Sequence, residues 1–341
     1  MANYFDNILG NEKLKEMLFS YIKNGALPHA FIIEGASGSG RKHIAKSIAA
    51  AISCKNSDGN TIPCCQCINC EKIFIDVCPD VMIIDSDEKQ TIGVELIREL
   101  AAHTYMTPNE LDVKVYIIDG ADKMTIPAQN AFLKTLEEPV TNVMYFLVCE
   151  NSQMLLPTII SRAPIIRTTP LGRDTVHSYL KKNIVSTDND RLKLISVLSH
   201  GNLGDALSLT SDSEKMDALL SERNDIYTFL DILKNKGSKY DVFAFFTQEC
   251  EKNSIAINRL RLLYSAFRDI IAYKELKLTE FDFFIDTEDI SKYTTQIKPK
   301  YAKKLCAHIE DALAQLYLNP GSSSIYTTMF SLACEAWGAK N

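Results

Sequence analysis

No run of apolar residues in this chain approaches the ~20 needed for a helix to cross a bilayer, so a membrane-spanning segment is not expected. The opening residues, Met1-Ala2-Asn3-Tyr4-Phe5-Asp6, lack the basic and apolar regions of a secretory signal, and the expected location is the cytoplasm. An excess of positive charge is also missing. Lys and Arg number 37 against 43 Asp and Glu, a net charge of −6. That argues against holding nucleic acid by bulk charge, while a local basic face stays compatible with the count. Nor are the ten cysteines spread as a disulfide framework would need: five fall between Cys64 and Cys78. Reduced thiols and a metal site fit that clustering better.

What is present starts from a hydrophobic fraction of 46% over 341 residues. This is ample for packed cores and about two or three domains. The stretch from Lys114 to Arg162 organises the rest. Val115-Tyr116-Ile117-Ile118 ends in Asp119 and reads as a strand buried on both faces, as in a parallel sheet. An acidic residue at the carboxyl end of such a strand sits where open α/β sheets bind ligands, and in nucleotide sites it helps hold Mg²⁺. A helix is expected from Pro127 to Glu138, stopped by Pro139. A second buried strand follows over Val143 to Cys149. Ser161-Arg162 closes the stretch.

Upstream, Leu14, Met17, Leu18 and Tyr21 recur at helical spacing, and Gly25 ends that helix. His29 to Glu34 reads as the first strand. It feeds Gly35-Ala36-Ser37-Gly38-Ser39-Gly40-Arg41-Lys42 and a helix to about Ser53. A phosphate-binding loop needs G-x-x-x-x-G-K-[ST] between strand and helix. Gly35, Gly38 and Gly40 allow backbone N–H groups to turn inward towards phosphate. But Arg41 stands at the Lys position and Lys42 at the hydroxyl position. Arg is not a conservative replacement there, and an ammonium cannot ligate a cation. Three readings remain open at this point: a tight turn without nucleotide, nucleotide binding without turnover, and a working ATPase.

Cys54, Cys64, Cys67 and Cys70 follow C-x9-C-x2-C-x2-C. Four thiolates on a compact loop suit tetrahedral Zn²⁺, with an iron–sulfur cluster or free thiols as the alternatives. A closed Cys₄ set leaves no open position, so the zinc would be structural. Pro63 and Asp58-Gly59 supply turns; Cys65 should point away, and Cys78 is a possible substitute ligand. Pro79 to Asp85 is expected to be a strand and Thr91 to His103 a helix. After Pro164 to Arg167, an edge strand, no buried strand pattern appears. Helices are expected over Thr175 to Lys182, Asp188 to Ser199 and Leu203 to Leu209, with Thr187-Asp188 as an N-cap. Longer ones are expected over Ser213 to Lys234, Tyr240 to Glu251, Ile255 to Lys274, Tyr301 to Leu318 and Ser324 to Trp337, the last two split by Asn319-Pro320-Gly321.

In order along the chain come His29-Ala30-Phe31, the Gly35–Gly40 loop, the cysteine insertion, Cys78-Pro79-Asp80, Ile92 with Ile97-Arg98-Glu99-Leu100, Ile117-Ile118-Asp119-Gly120-Ala121-Asp122, Asn130-Ala131-Phe132-Leu133-Lys134-Thr135-Leu136-Glu137-Glu138-Pro139 and Ile160-Ser161-Arg162. With these motifs the sequence resembles the subunits of the bacterial DNA polymerase III clamp loader, within the AAA+ ATPase group. The resemblance covers about residues 15 to 215 well. It implies an α/β P-loop domain with a parallel sheet and a Cys₄ zinc module (1–167, module 54–70). A small helical lid (168–212) and an all-α collar (213–341) would follow.

Active motor subunits of that group carry Lys and Thr where this chain has Arg41 and Lys42. They have a water-polarising Glu at Gly120 and a phosphate-sensing Arg at Gly204. These losses imply a non-hydrolysing subunit. Ser161-Arg162 is intact, and the resemblance makes Arg162 an arginine finger directed at ATP/Mg²⁺ in a neighbouring subunit. Ala163, where Cys is usual, is a packing position. The implied partners are motor subunits and a clamp-opening subunit in a hetero-pentamer, the sliding clamp and primed DNA, without a membrane. The rival readings are a motor subunit with an unusual loop, a stand-alone P-loop enzyme and a zinc-dependent DNA-binding adaptor.

Overall fold

Alternation along the strands divides one sheet between two cores. The computed structural model describes residues 3–56, 61–85, 91–184, 188–235, 238–247, 253–318, 328 and 331–332. The chain forms two compact units, residues 1–176 with 202–205, and 177–201 with 206–341.

In chain order, the first unit contains β1 (Asn3–Tyr4), α1 (Glu12–Lys23), β2 (Ala30–Glu34), α2 (Arg41–Ile52), β3 (Thr61–Ile62), α3 (Ile68–Phe74), β4 (Val81–Ile84) and α4 (Val94–His103). Then come β5 (Lys114–Asp119), α5 (Ile126–Glu137), β6 (Val143–Cys149), α6 (Pro157–Ile160) and β7 (Ile165–Arg167). The strand order is β4-β5-β6-β2-β7, every pairing parallel. Side chains alternate across the pleat. Phe31, Ile33, Val115, Ile117, Phe146 and Val148 therefore pack on one face with Leu18 of α1, Ile48 of α2 and Ile73 of α3. Ile32, Tyr116, Ile118, Tyr145 and Leu147 pack on the other with Ile97 of α4, Phe132 and Leu136 of α5 and Ile159 of α6. Helices on both faces explain why these strands read as continuous apolar runs. Helix α1 stops at Gly25, whose φ of +59° places it in the left-handed region. Thr125 caps α5 by accepting from the Ala128 N–H at 3.3 Å.

After β7 the described residues are helical, with no strand: α7 (Arg173–Asn183), α8 (Asn189–Leu198), α9 (Leu203–Ser211), α10 (Ser213–Lys234), α11 (Lys239–Thr247) and α12 (Asn253–Ile271). A π-helical turn (Ala272–Leu276), α13 (Thr287–Thr294) and α14 (Pro299–Leu318) complete them. In the second unit one core joins Phe229 and Leu230 of α10, Phe246 of α11, Leu263 and Phe267 of α12, Ile290 of α13 and Leu305 and Ile309 of α14. Charged groups are buried in it with partners. Arg223 donates to the Tyr227 hydroxyl at 2.8 Å and the Phe283 carbonyl at 2.9 Å. Asp269 accepts from the Phe283 N–H at 2.7 Å.

One expectation changes, and two features come without one. Asp188 stands at the N-cap of α8, but its side chain makes no capping bond; Thr187 lies outside the described residues. Helix α13 lies in a stretch for which no element was expected. Its signal was Asp286, whose carboxylate accepts from the Asp289 N–H at 2.9 Å, followed by acidic residues in the first turn. The parallel pairing of β1 with β3 joins two-residue strands too short for periodicity to reveal. The Asp58-Gly59 turn and the Asn319-Pro320-Gly321 turn lie outside the described residues, as does most of the Ser324 to Trp337 helix.

Candidate nucleotide loop, outward arginine and four-thiol cluster

The loop between β2 and α2 bends as its glycines allow. Gly38 and Gly40 have φ of +78° and +84°, a region that L side chains rarely adopt. Gly40 stands at the N-cap of α2 with no side-chain cap, so the first-turn N–H groups face the loop rather than a capping oxygen. A cavity of about 470 Å³ opens there, lined among others by Gly38, Gly40, Arg41, Lys42, Lys46 and Asp119.

The expected cation ligand at the end of β5 is already paired. Lys42 Nζ lies 2.8 Å from Asp119 Oδ2. The ammonium and the carboxylate both line the cavity. Arg41 reaches towards Glu150 at 3.7 Å, and Lys46 pairs with Asp76 at 2.7 Å. Gly120, one residue on, has φ +78°. Any side chain there would be strained on its backbone and would meet Lys123 Cδ at 3.3 Å.

Residues Asn202–Asp205 lie against the same loop. The Gly204 N–H donates to the Gly38 carbonyl at 3.0 Å, and the Asn202 side-chain amide donates to the Ser37 carbonyl. A Cβ at Gly204 would come within 2.6 Å of Gly38 Cα and 2.8 Å of its oxygen. Both are backbone atoms, so the contact admits glycine alone without a shift. The sequence identified Gly204 as a missing Arg; the backbone contact that excludes one had no sequence signal.

Arg162 follows the single turn of α6, two residues beyond Ile160. Its guanidinium donates to the Thr158 carbonyl at 2.9 Å and pairs with Glu137 at the end of α5 at 2.8 Å. Its side chain is 35% exposed. Ala163 is buried, as a packing position requires. In the sequence Glu137 stands only within a motif; its contact with Arg162 depends on how α5 and α6 pack. Asp122 was another unassigned residue: it accepts from the Glu150 and Asn151 N–H groups at 2.9 and 3.3 Å, and so fixes the loop after β6.

The sulfurs of Cys54, Cys64, Cys67 and Cys70 all lie within 4.8 Å of one another. Four thiolates at about 2.3 Å from one Zn²⁺ would be about 3.8 Å apart, so the set fits a tetrahedral ion. Individual separations agree: Cys64 to Cys70 is 4.0 Å and Cys67 to Cys70 is 3.5 Å. The Cys64 N–H points at Cys54 Sγ (3.5 Å) and the Cys67 N–H at Cys64 Sγ (3.3 Å), which favours thiolates. Burial pushes Cys67 up, but hydrogen bonds from the Cys70 and Lys55 backbone and from the Cys70 and Cys64 thiols outweigh it and bring the thiol down to about 6. Burial and the thiol of Cys67 push Cys70 well up. Cys65 is exposed, has φ +56° and turns its thiol to the Pro63 carbonyl. Cys78 is buried outside the cluster and is not among its four candidate ligands.

Residues 10–172 match the family described as DNA polymerase III, delta subunit. DNA polymerase III subunit gamma of Buchnera aphidicola is 27% identical over 83% of this chain and 78% of its own length. DNA polymerase III subunit gamma/tau of Mycoplasma genitalium is 30% identical over 80% of this chain, which spans about half (48%) of that relative. DNA polymerase III subunit delta' of Bacillus subtilis is 29% identical over 83% of this chain and 85% of its own length. The parallel sheet, the loop and these relatives agree: the homologues of this chain are the gamma, tau and delta' subunits of DNA polymerase III, the clamp-loader family.

Proposed function

We propose that this chain is the delta'-type, non-hydrolysing subunit of a clamp loader, and that it lends Arg162 to ATP bound by a neighbouring gamma or tau subunit. The observation that carries the reading is the Lys42–Asp119 pair at 2.8 Å. A hydrolysing site of this type needs that carboxylate for Mg²⁺ and a water-polarising group beside it. Here an ammonium sits on the first and Gly120 replaces the second. Gly204, against the loop backbone, leaves no room for a phosphate-sensing side chain. Arg162 is differently placed, on an exposed turn with a solvent-accessible partner. In the neighbour's site, the chain's contribution is charge: the guanidinium stabilises the transferring phosphoryl as negative charge spreads over its oxygens. The reading also includes a hetero-pentamer with a delta subunit, which holds the sliding clamp open at primed DNA in the cytoplasm. No helix among the described residues is long and apolar enough to cross a membrane. The proposed division is 1–167, 168–212 and 213–341. Zn²⁺ held by Cys54, Cys64, Cys67 and Cys70 would be structural, because four protein ligands leave no open position.

The test is ATP turnover by the assembly containing Arg162→Ala. The expected result is slowed turnover with the assembly intact; unchanged turnover overturns the reading. Similarity to gamma and tau relatives favours a second reading, a motor subunit. Mg²⁺-dependent, stoichiometric turnover by the purified chain alone would establish it.

A further inference from the structure

The cavity at the head of α2 has kept the features that attract phosphate while losing those that hold a metal. Its wall contains Arg41, Lys42 and Lys46 against a single carboxylate, Asp119. The partners of the two outer cations are more than half exposed, Glu150 at 61% and Asp76 at 52%. Arg41 and Lys46 themselves are 12% and 14% exposed, so both cations are held at the cavity wall with partners that water screens in part. Gly40 leaves the first helical turn without a side-chain cap, and an anion there gains the N–H groups and the positive end of the helix dipole.

In a phosphate loop that uses metal, the residue after the loop cation supplies a hydroxyl, and a divalent ion bridges that hydroxyl, the strand carboxylate and the phosphates. Lys42 stands at the hydroxyl position, and its Nζ is 2.8 Å from Asp119 Oδ2. A divalent cation would have to approach the same carboxylate against an ammonium. The ammonium already provides charge of the required sign, and it keeps donors free beyond the one directed at Asp119. Asp119 would otherwise repel phosphate; paired with Lys42 it does not, and instead fixes the ammonium at the cavity wall.

We propose that Lys42, clamped by Asp119, is a built-in replacement for the divalent cation, so that this cavity takes a polyphosphate anion without metal. The inference rests on the reading of this site as non-hydrolysing, and it adds the ligand class and the residue that makes metal unnecessary. The shared chemistry is a chain of phosphates, carried by a nucleoside triphosphate or by inorganic pyrophosphate.

The test is isothermal titration of the purified, zinc-loaded chain with ATP and, separately, with pyrophosphate. Each is run in buffer stripped of divalent ions over chelating resin and again with Mg²⁺ at matched ionic strength. The expected result is binding of at least one anion with affinities that agree within about twofold in the two buffers, since the positive charge is already in place. Binding of both anions assigns the site to the phosphates alone; binding of ATP only adds a nucleoside contact. Lys42→Thr, which restores the hydroxyl, should weaken metal-free binding by at least about tenfold, the scale of one charge-assisted contact, and Mg²⁺ should recover part of it. Binding that requires Mg²⁺ in the wild type, binding of neither anion, or Lys42→Thr binding like wild type without metal overturns the proposal. The wild-type comparison stands even where the variant fails to fold. Loss of this inference is distinguishable from loss of the loader reading. The latter depends on turnover by the Arg162→Ala assembly, and Arg162 is not among the residues that line this cavity.

Discussion

Lys42 and Arg162 each lie 2.8 Å from a carboxylate of the same α/β unit, Lys42 from Asp119 and Arg162 from Glu137. The distances are equal, but the surroundings differ. Asp119 ends a strand at a cavity and is 23% exposed against 49% for Glu137 at a helix end, while the cations rank the other way, Lys42 49% and Arg162 35%. The first pair closes a site on itself. The second rests on a surface where another molecule's charge can take Glu137's place. An ion pair so exposed contributes little to stability, so it is easily exchanged, and exchange is what a cation meant for a neighbour requires.

The largest effect should come from breaking the outward half of this comparison. Arg162→Ala should lower ATP turnover at the one neighbouring site it faces by about 10³-fold, the low end for a guanidinium supplied in trans, or about 4 kcal/mol of barrier. Phosphate release by an assembly in which only that neighbour can hydrolyse measures it, and a loss under tenfold would make Arg162 no different from any surface arginine.

Next comes a buried carboxylate whose cation is farther off. Asp269, in the helical unit, is 2% exposed, and Arg268 is 3.8 Å away. Burial pushes it up to about 6 despite N–H groups from Phe283 and Phe284 and the charges of Arg268 and His200. Its folded-state value is raised, so its stabilising contribution is full below the ordinary carboxylate range and is lost as pH rises through about 6. Unfolding free energy of this unit should therefore fall by on the order of 2 kcal/mol between about pH 4 and about pH 7. Urea titrations of wild type and Asp269→Asn check this; an equal slope in the variant would remove Asp269 as the cause.

Gly204→Arg tests whether the closed half can simply be reopened. The new Cβ would press on the Gly38 backbone, and the expected cost is about 1–3 kcal/mol, read from thermal melts, with no ATPase gained. An unchanged melting temperature would mean that the contact gives way freely. The smallest effect is expected from Glu137→Gln. Its stability cost should stay under about 0.5 kcal/mol, and turnover of the assembly should change far less than with Arg162→Ala. A loss as large as that of Arg162→Ala would show that Glu137 acts in the reaction.

Reading these pairs from the sequence reached only half of each. Arg41, Lys42, Gly120, Gly204 and Arg162 could be marked because residue type at a fixed offset carries the chemistry. Asp119 could be marked as a cation ligand but not as the partner of Lys42, and Glu137 stood only within a motif. Lys42 and Asp119 are 77 residues apart by number, and their meeting depends on β2 and β5 lying in one sheet with β6 between them. The four cysteines were legible for the opposite reason: their spacing is local, so the chain has little freedom to place them elsewhere.

Periodicity determined the buried strands and long helices. Val143–Cys149 and Ser213–Lys234 begin and end where the sequence put them, because long apolar runs and sustained helical spacing leave few alternatives. Tertiary structure alone decided which charges cancel. It set an ammonium on the carboxylate that would serve a metal, laid Gly204 against Gly38, and left Arg162 on an exposed turn. The reason is physical: secondary structure follows from interactions within a few residues, whereas an ion pair or a backbone contact exists only where distant segments are packed together.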